Sequence, residues 1–221
     1  EMKKYAIIVA GGSGTRFGST LPKQFVPLGG VPVLMRTIKA FADYDRDINI
    51  VVALPSEHLT LWGDLCALRN FDVPHKVVEG GANRFESVRN ALFAVNETEC
   101  LVAVHDGARP LVSRQVIAAG FETAARCGTA IPTVPVTDSI RQLDRNGSHN
   151  VSRESLVAVQ TPQTFRVEIL KEAYTTAFSP LFTDDASVVE FRGTPVTLYP
   201  GDVNNIKITH PMAVSYTHLT L

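Results

Sequence analysis

Four short runs of the chain are apolar on consecutive rather than alternate positions: Tyr5 to Ala10, Ile48 to Leu54, Leu101 to His105 and Thr129 to Val134. Runs of strand length, rich in β-branched residues and lacking polar alternation, are the pattern of strands buried on both faces, as in a parallel sheet. Between them the period lengthens. Leu34, Ile38 and Phe41 follow Pro32 at helical spacing, which predicts a helix with Pro32 at its first position. Phe85, Val88, Leu92 and Val95 repeat that stripe, and Ser113 is placed to cap a helix carrying Val116, Ile117, Phe121 and Ala124 as far as Gly128. Strand-helix-strand repetition predicts an α/β fold built on a mostly parallel, twisted sheet with right-handed crossovers and helices on both faces.

The rhythm breaks between about 135 and 155. Asn146-Gly147 separates two partly alternating polar stretches, Thr137 to Asp144 and Asn150 to Arg153, and signals a β-hairpin. Its strands carry too few apolar residues to bury a face, and an isolated two-stranded hairpin is marginal in water. The expectation is therefore a protruding arm that packs on another body, such as a second subunit.

Ligands of open α/β sheets bind beyond the carboxyl ends of the strands, which directs attention to the loops starting at Gly11, Pro55, Gly80 and Asp106. The first reads Ala10-Gly-Gly-Ser-Gly-Thr-Arg16-Phe-Gly18, where closely spaced glycines let backbone N–H groups turn together toward an anion. It is not a Walker A loop, because no glycine is followed by Lys and Ser or Thr at the required spacing. It is not a dinucleotide fingerprint either: the glycine spacing differs, and the second strand ends in Ala53-Leu54-Pro55 without a ribose-binding acid. With Arg16 inside it and Lys23 shortly after, the loop is suited to hold a polyphosphate.

In the third loop, Gly81 and Ala82 allow backbone to approach a base edge, while Arg84 and Ser87 share a helix face. Asp106 closes a buried strand and is open to ribose, to substrate hydroxyls or to a hydrated divalent ion. His105 beside it is expected to be structural.

Composition narrows the partners. Of 221 residues 45% are hydrophobic, and 21 Lys plus Arg balance 22 Asp plus Glu for a formal net charge of -1. That balance argues against a nucleic-acid or anionic-membrane partner, which needs a basic excess. The apolar run near the N-terminus stops at Gly11-Gly12, too short for a membrane span, and no secretory signal is expected. Cys66, Cys100 and Cys127 are widely spaced with no C-x-x-C, as expected of buried thiols in a reducing cytoplasm. No two of the six histidines are four residues apart, so a zinc site is not expected.

The pattern A-G-G-x-G-x-R-x-G with Pro22-Lys-Gln-Phe25 resembles the cytidylyltransferases that act on sugar-alcohol phosphates. Three more segments carry the resemblance: Gly80-Gly-Ala-Asn-Arg84-Phe-Glu-Ser87-Val88, His105-Asp-Gly-Ala-Arg109-Pro110 and Asn205-Ile-Lys207-Ile-Thr209. They run in order from about Lys4 to Thr209. The resemblance implies a Rossmann-like nucleotidyltransferase domain over 2–209, with the arm at about 135–155 serving dimerisation. The tail 210–221 departs from the family, lacking the usual Pro-Glu-Asp-Leu that opens an amphipathic helix, and this bears on stability and dimer packing more than on chemistry.

The implied reaction is attack of an acceptor's phosphate on the α-phosphorus of CTP, with release of pyrophosphate. The attacking group is already anionic, so no general base is required. By resemblance, Arg16 and Lys23 are catalytic, stabilising the transition state. CTP would meet Ala10, Gly11, Gly12, Gly14, Gly81, Ala82, Arg84, Ser87, Asp106 and Gly107. The acceptor would meet Asp106, Arg109, Ser139 and Thr183, with Arg153 and Lys207 aiming its phosphate. Magnesium is expected to bind mainly through the CTP triphosphate, with no protein metal site. A cytoplasmic homodimer is implied, in which exchanged arms bring Arg153 and Ser139 to the partner's site. The expected acceptor is 2-C-methyl-D-erythritol 4-phosphate, favoured by Asp106-Gly-Ala-Arg109. Ribitol 5-phosphate is the alternative acceptor, and a non-catalytic nucleotide-binding domain the alternative of another class.

Overall fold

The computed structural model describes residues 2–11 and 21–209; Arg16, Gly12, Gly14 and the tail 210–221 lie outside the described residues. The first strand, β1 (Lys3–Val9), is followed by two short strands, β2 (Pro27–Leu28) and β3 (Val31–Pro32), and helix α1 (Val33–Tyr44). Next come β4 (Asn49–Leu54), α2 (Leu59–Arg69), β5 (Lys76–Glu79), α3 (Arg84–Phe93), β6 (Cys100–Asp106), α4 (Arg114–Cys127) and β7 (Thr129–Pro135). The arm is β8 (Ile140–Asp144) with β9 (Gly147–Val151), and the chain closes with β10 (Val157–Val159), β11 (Gln163–Arg166), α5 (Val167–Ala173), α6 (Asp185–Phe191) and β12 (Leu198–Pro200).

The main sheet runs in the order β10-β7-β11-β6-β1-β4-β5, with β12 also on β7. β1 is parallel to both of its neighbours, Ile7 lying opposite Val51 on one side and Val104 on the other. Strand residues alternate between two apolar layers. Ala6, Ile8, Ile50, Val52, Leu101 and Ala103 join α1, α2 and α4 on one face. Ile7, Val51, Ala53, Val102 and Val104 join α3, α5 and α6 on the other. Burying each Val, Leu or Ile side chain contributes about 1.5–3 kcal/mol, which explains why the strand runs show no polar alternation.

Several local expectations shift. Pro32 is not the first helical residue of α1 but its N-cap, extended at ψ 137° because it pairs with Pro27 in the β2-β3 ladder. Val95 lies past the end of α3 yet remains core. Ser113 caps α4 as expected, accepting from the Val116 N–H at 3.2 Å, and Gly128 ends it at φ 87°. The arm's two-residue turn is Arg145-Asn146, since Asp144 pairs with Gly147, and Gly147 takes φ 131°. Lys207 sits in an irregular segment tied down by the Ile208 N–H to the Ala108 carbonyl at 2.8 Å. Cys100 is buried, but Cys127, expected to be so, is exposed. β11 is an addition: it enters antiparallel between β6 and β7. Among the described residues no helix is long and apolar enough to cross a membrane.

Candidate active site

The carboxyl ends of β1 and β6 and the loop before α3 open on a cavity of about 240 Å³. Lining it are Val9, Ala10, Gly11, Lys23, Gln24, Gly81, Ala82, Asn83, Arg84, Ser87, Asp106, Ala108 and Lys207. Three of the four loops singled out by the sheet rule contribute; the Pro55 loop does not, turning instead into a short 3-10 segment.

The wall before α3 is held by its own cap. The Asn83 side chain accepts from the Glu86 N–H at 2.9 Å, and Ser87 Oγ donates to the Asn83 carbonyl while accepting from the Gly81 N–H at 3.0 Å. Ser87 therefore props the loop. Gly81 is required by proximity: a Cβ there would lie 2.2 Å from Glu86 Cβ. The result is a wall of backbone and small side chains, which a planar base can approach closely. Gly107 does not line the cavity; its N–H donates to the Val9 carbonyl at 2.8 Å, and a Cβ would crowd Ala10 Cβ at 3.1 Å. It serves close packing of β6 against β1.

Asp106 is the electrostatic centre. Lys207 Nζ lies 3.0 Å from its carboxylate, Arg109 Nε 3.4 Å and Arg84 Nε 3.5 Å. Burial alone would raise the carboxyl's pKa, but these three cations outweigh it and hold the group far below the ordinary range. Arg84 in turn forms a bidentate pair with Asp185, at 3.2 and 2.8 Å, and Asp185 also accepts from the Tyr174 hydroxyl at 2.6 Å. Burial would lower the Arg84 pKa, yet Asp185 and Asp106 raise it, so the guanidinium stays charged. Arg109 stands behind the wall, donating to the Asn205 carbonyl at 2.7 Å, which makes it a brace for Asp106.

His105 is fully buried and its two ring nitrogens are assigned by their partners. Nε2 lies 3.0 Å from the Arg109 carbonyl, which can only accept, so Nε2 carries the proton. Nδ1 then accepts from the Thr161 hydroxyl at 3.0 Å, and that oxygen accepts from the Asp106 N–H at 3.0 Å. Burial lowers the imidazole pKa from 6.5 to about 4. Unfolded chain thus takes up a proton that folded chain refuses, so stability contributed by neutral His105 is complete above pH 6.5 and is lost as pH falls toward 4, by about 3 kcal/mol in all. Between pH 7.5 and pH 5 the urea midpoint is expected to fall more in the wild type than in His105→Gln; equal falls would contradict the assignment.

Of the residues expected at the site, Ala10, Gly11, Lys23, Gly81, Ala82, Arg84, Ser87, Asp106 and Lys207 meet on this cavity. Ser139, Arg153 and Thr183 are outside its wall. Arg153 donates to the Thr137 carbonyl at the base of the arm. Asn83, Gln24, Thr161 and Asp185 were not anticipated. Asn83 carries a readable signal, Asn followed three residues later by Glu at a helix start. Asp184 and Asp185, which follow Thr183, are both engaged: Asp184 caps α6 through the Ser187 N–H and accepts from Gln163 Nε2, each at 2.9 Å. Among the described residues no three His, Cys, Asp or Glu side chains converge to hold a metal ion.

A sequence model of the 2-C-methyl-D-erythritol 4-phosphate cytidylyltransferase family matches residues 5–221, past Thr209 where the recognisable motifs end. Proteins of that name from Bacteroides thetaiotaomicron and Porphyromonas gingivalis are similar to the chain. The first is 51% identical over 210 residues, 95% of each chain, and the second 48% over 222 residues, 100% of this chain and 99% of the relative. Among solved structures, the enzyme of that name from Thermus thermophilus superposes with a TM-score of 0.81 at 34% identity, covering 99% of this chain and 98% of the other. That from Francisella tularensis gives 0.83 at 30% identity, covering 99% and 100%.

Proposed function

The chain belongs to the 2-C-methyl-D-erythritol 4-phosphate cytidylyltransferase family, and from that membership we infer how its cavity performs the family's reaction. The reaction transfers CMP from CTP to 2-C-methyl-D-erythritol 4-phosphate, giving 4-(cytidine 5′-diphospho)-2-C-methyl-D-erythritol and pyrophosphate on the non-mevalonate route to isoprenoids. Ribitol 5-phosphate, the alternative acceptor, and the non-catalytic alternative both yield to the family match.

One observation carries the mechanistic reading: a wall of small residues and a cluster of cations line one cavity. Cytosine fits against Gly81 and Ala82, whose N–H groups are held by Ser87 and Glu86 and whose small size lets the base come close where a bulkier purine would not seat. The triphosphate then lies toward Gly11 and Lys23, with Arg16 of the glycine loop completing the charge. Lys207 grips the acceptor's phosphate. Asp106 holds that ammonium in place beforehand, and an arriving dianion competes for it at the same point. Two anions must meet while negative charge grows on the α-phosphoryl and bridging oxygens, so fixed cations supply most of the rate.

Magnesium fits this site as part of the nucleotide. The carboxylate in the described wall, Asp106, already faces three cations, and magnesium accepts phosphate oxygens and water readily. When bound with CTP it neutralises triphosphate charge. Ser139 and Arg153 ride on the arm and reach a neighbouring subunit's acceptor in a cytoplasmic homodimer, with Thr183 contributing from the loop before α6.

Pyrophosphate release is expected with CTP and the methylerythritol acceptor together, and not with CTP alone or with purine nucleotides. Mixed dimers of Arg153→Ala and Arg16→Ala subunits should recover part of the activity that each lacks alone. No recovery after confirmed subunit exchange would assign both residues to a site within one chain.

A further inference from the structure

Among the described residues, the carboxamide of Gln24 has no hydrogen-bond partner. Gln24 lies in the 3-10 turn Lys23–Phe25, is 1% exposed and lines the cavity. Neither its Nε2 nor its Oε1 makes a hydrogen bond. Among the described residues, the other buried side-chain atoms without a partner belong to Thr164, Arg166 and Asn205, none of which lines the cavity. Arg166 and Asn205 keep bonds through their remaining nitrogens, to the Ala125 and Thr161 carbonyls. Gln24 is bare at both ends.

An orphaned buried polar group is destabilising, and a methionine or leucine of similar volume would avoid that cost. Its neighbour shows that the turn itself needs no amide: Phe25 is fixed by stacking on Trp62, with ring centroids 5.8 Å apart. The amide is therefore matched to something that enters the cavity.

Both ends of the group restrict what that is. A phosphate oxygen accepts only, so it would satisfy Nε2 and leave Oε1 bare. A hydroxyl both donates and accepts. The turn leads into β2, whose Leu28 packs with Ile208, the neighbour of Lys207, and Gln24 lines the cavity together with Lys207. The wall that suits a base, Gly81 and Ala82, lies before α3.

We propose that Gln24 is a specificity-determining residue whose carboxamide binds a hydroxyl of the bound substrate, Oε1 accepting from it and Nε2 donating to an oxygen beside it. The inference rests on the reaction given above. Two sources carry that chemistry, the acceptor's polyol and the nucleotide's ribose, and they are separable. A site built to bond a hydroxyl strongly rejects the analogue that lacks it, because its own polar atoms are then left unpaired.

Gln24→Met in the full chain tests the proposal, with the wild type in parallel. The thermal midpoint is expected to be unchanged or higher, while kcat/KM falls about tenfold or more. A raised KM for the methylerythritol acceptor with unchanged CTP affinity assigns the hydroxyl to the polyol. Weaker CTP binding, with wild type discriminating against 2′-deoxy-CTP and the variant not, assigns it to the ribose. Unaltered constants for both substrates overturn the proposal, and so does a lowered midpoint, which would show the amide holding the fold. A wild type that releases no pyrophosphate with CTP and the acceptor would defeat the reaction itself, a separate failure.

Discussion

Lys23→Ala is expected to lower kcat by on the order of 10²–10³, about 3–4 kcal/mol of transition-state stabilisation, in a chain that still folds. Lys23 follows Pro22 into the 3-10 turn, and the turn's anchor is Phe25, 1% exposed. Removing the ammonium therefore leaves the support of the wall in place. On the proposed mechanism, what is lost is a positive charge that stabilises the negative charge developing as the bond to pyrophosphate breaks. Arg16→Ala is expected to behave alike, from its place in the glycine loop. Steady-state pyrophosphate release at saturating substrates measures the effect, with CTP affinity determined separately to divide binding from turnover. A kcat within about threefold of wild type would remove Lys23 from the catalytic groups.

Asp185→Asn is expected to act on stability first. Asp185 is wholly buried and accepts from both terminal nitrogens of Arg84 and from the Tyr174 hydroxyl. Taking away the carboxylate's charge leaves Arg84 with Asp106 as its remaining acid, at 3.5 Å. Breaking a buried pair by removing one partner costs about 3–5 kcal/mol, and at this chain length each kcal/mol lowers the thermal midpoint by roughly 2–4 °C. A fall of about 6–20 °C follows. On the proposed mechanism CTP affinity should drop as well, because Arg84 is the first residue of α3 and lines the cavity beside Gly81 and Ala82. A midpoint equal to wild type would mean that Asp185 does not hold Arg84.

The parts of the fold legible in the sequence are those whose burial is two-sided and continuous. β1, β4, β6 and β7 appear as unbroken apolar runs because both faces are covered by helices. β11 was not legible: Gln163-Thr-Phe-Arg166 is four residues long and mostly polar, and its burial comes from neighbours far along the chain. The cavity's glycines and cations could be read as motifs. Asp185 could not, since two adjacent acids do not reveal that one caps a helix and the other pairs with an arginine 101 residues away. Gln24 was hidden for a different reason. A glutamine in a motif gives no sign of whether the fold uses its amide, and the lack of a partner is a fact of packing.

The insertion of β11 between β6 and β7 bears on the order in which the protein can be completed during synthesis. β6 finds β1 already made on one side, but its other neighbour begins at Gln163, after α4, β7 and the whole arm have been translated. Until then the strand that ends in Asp106 presents an open edge with unpaired backbone groups, a template for pairing with another chain. Lys207 arrives later still. The cavity wall is therefore completed last, and ribosome pausing between about 106 and 163 is expected to be the aggregation-prone interval of this chain's synthesis.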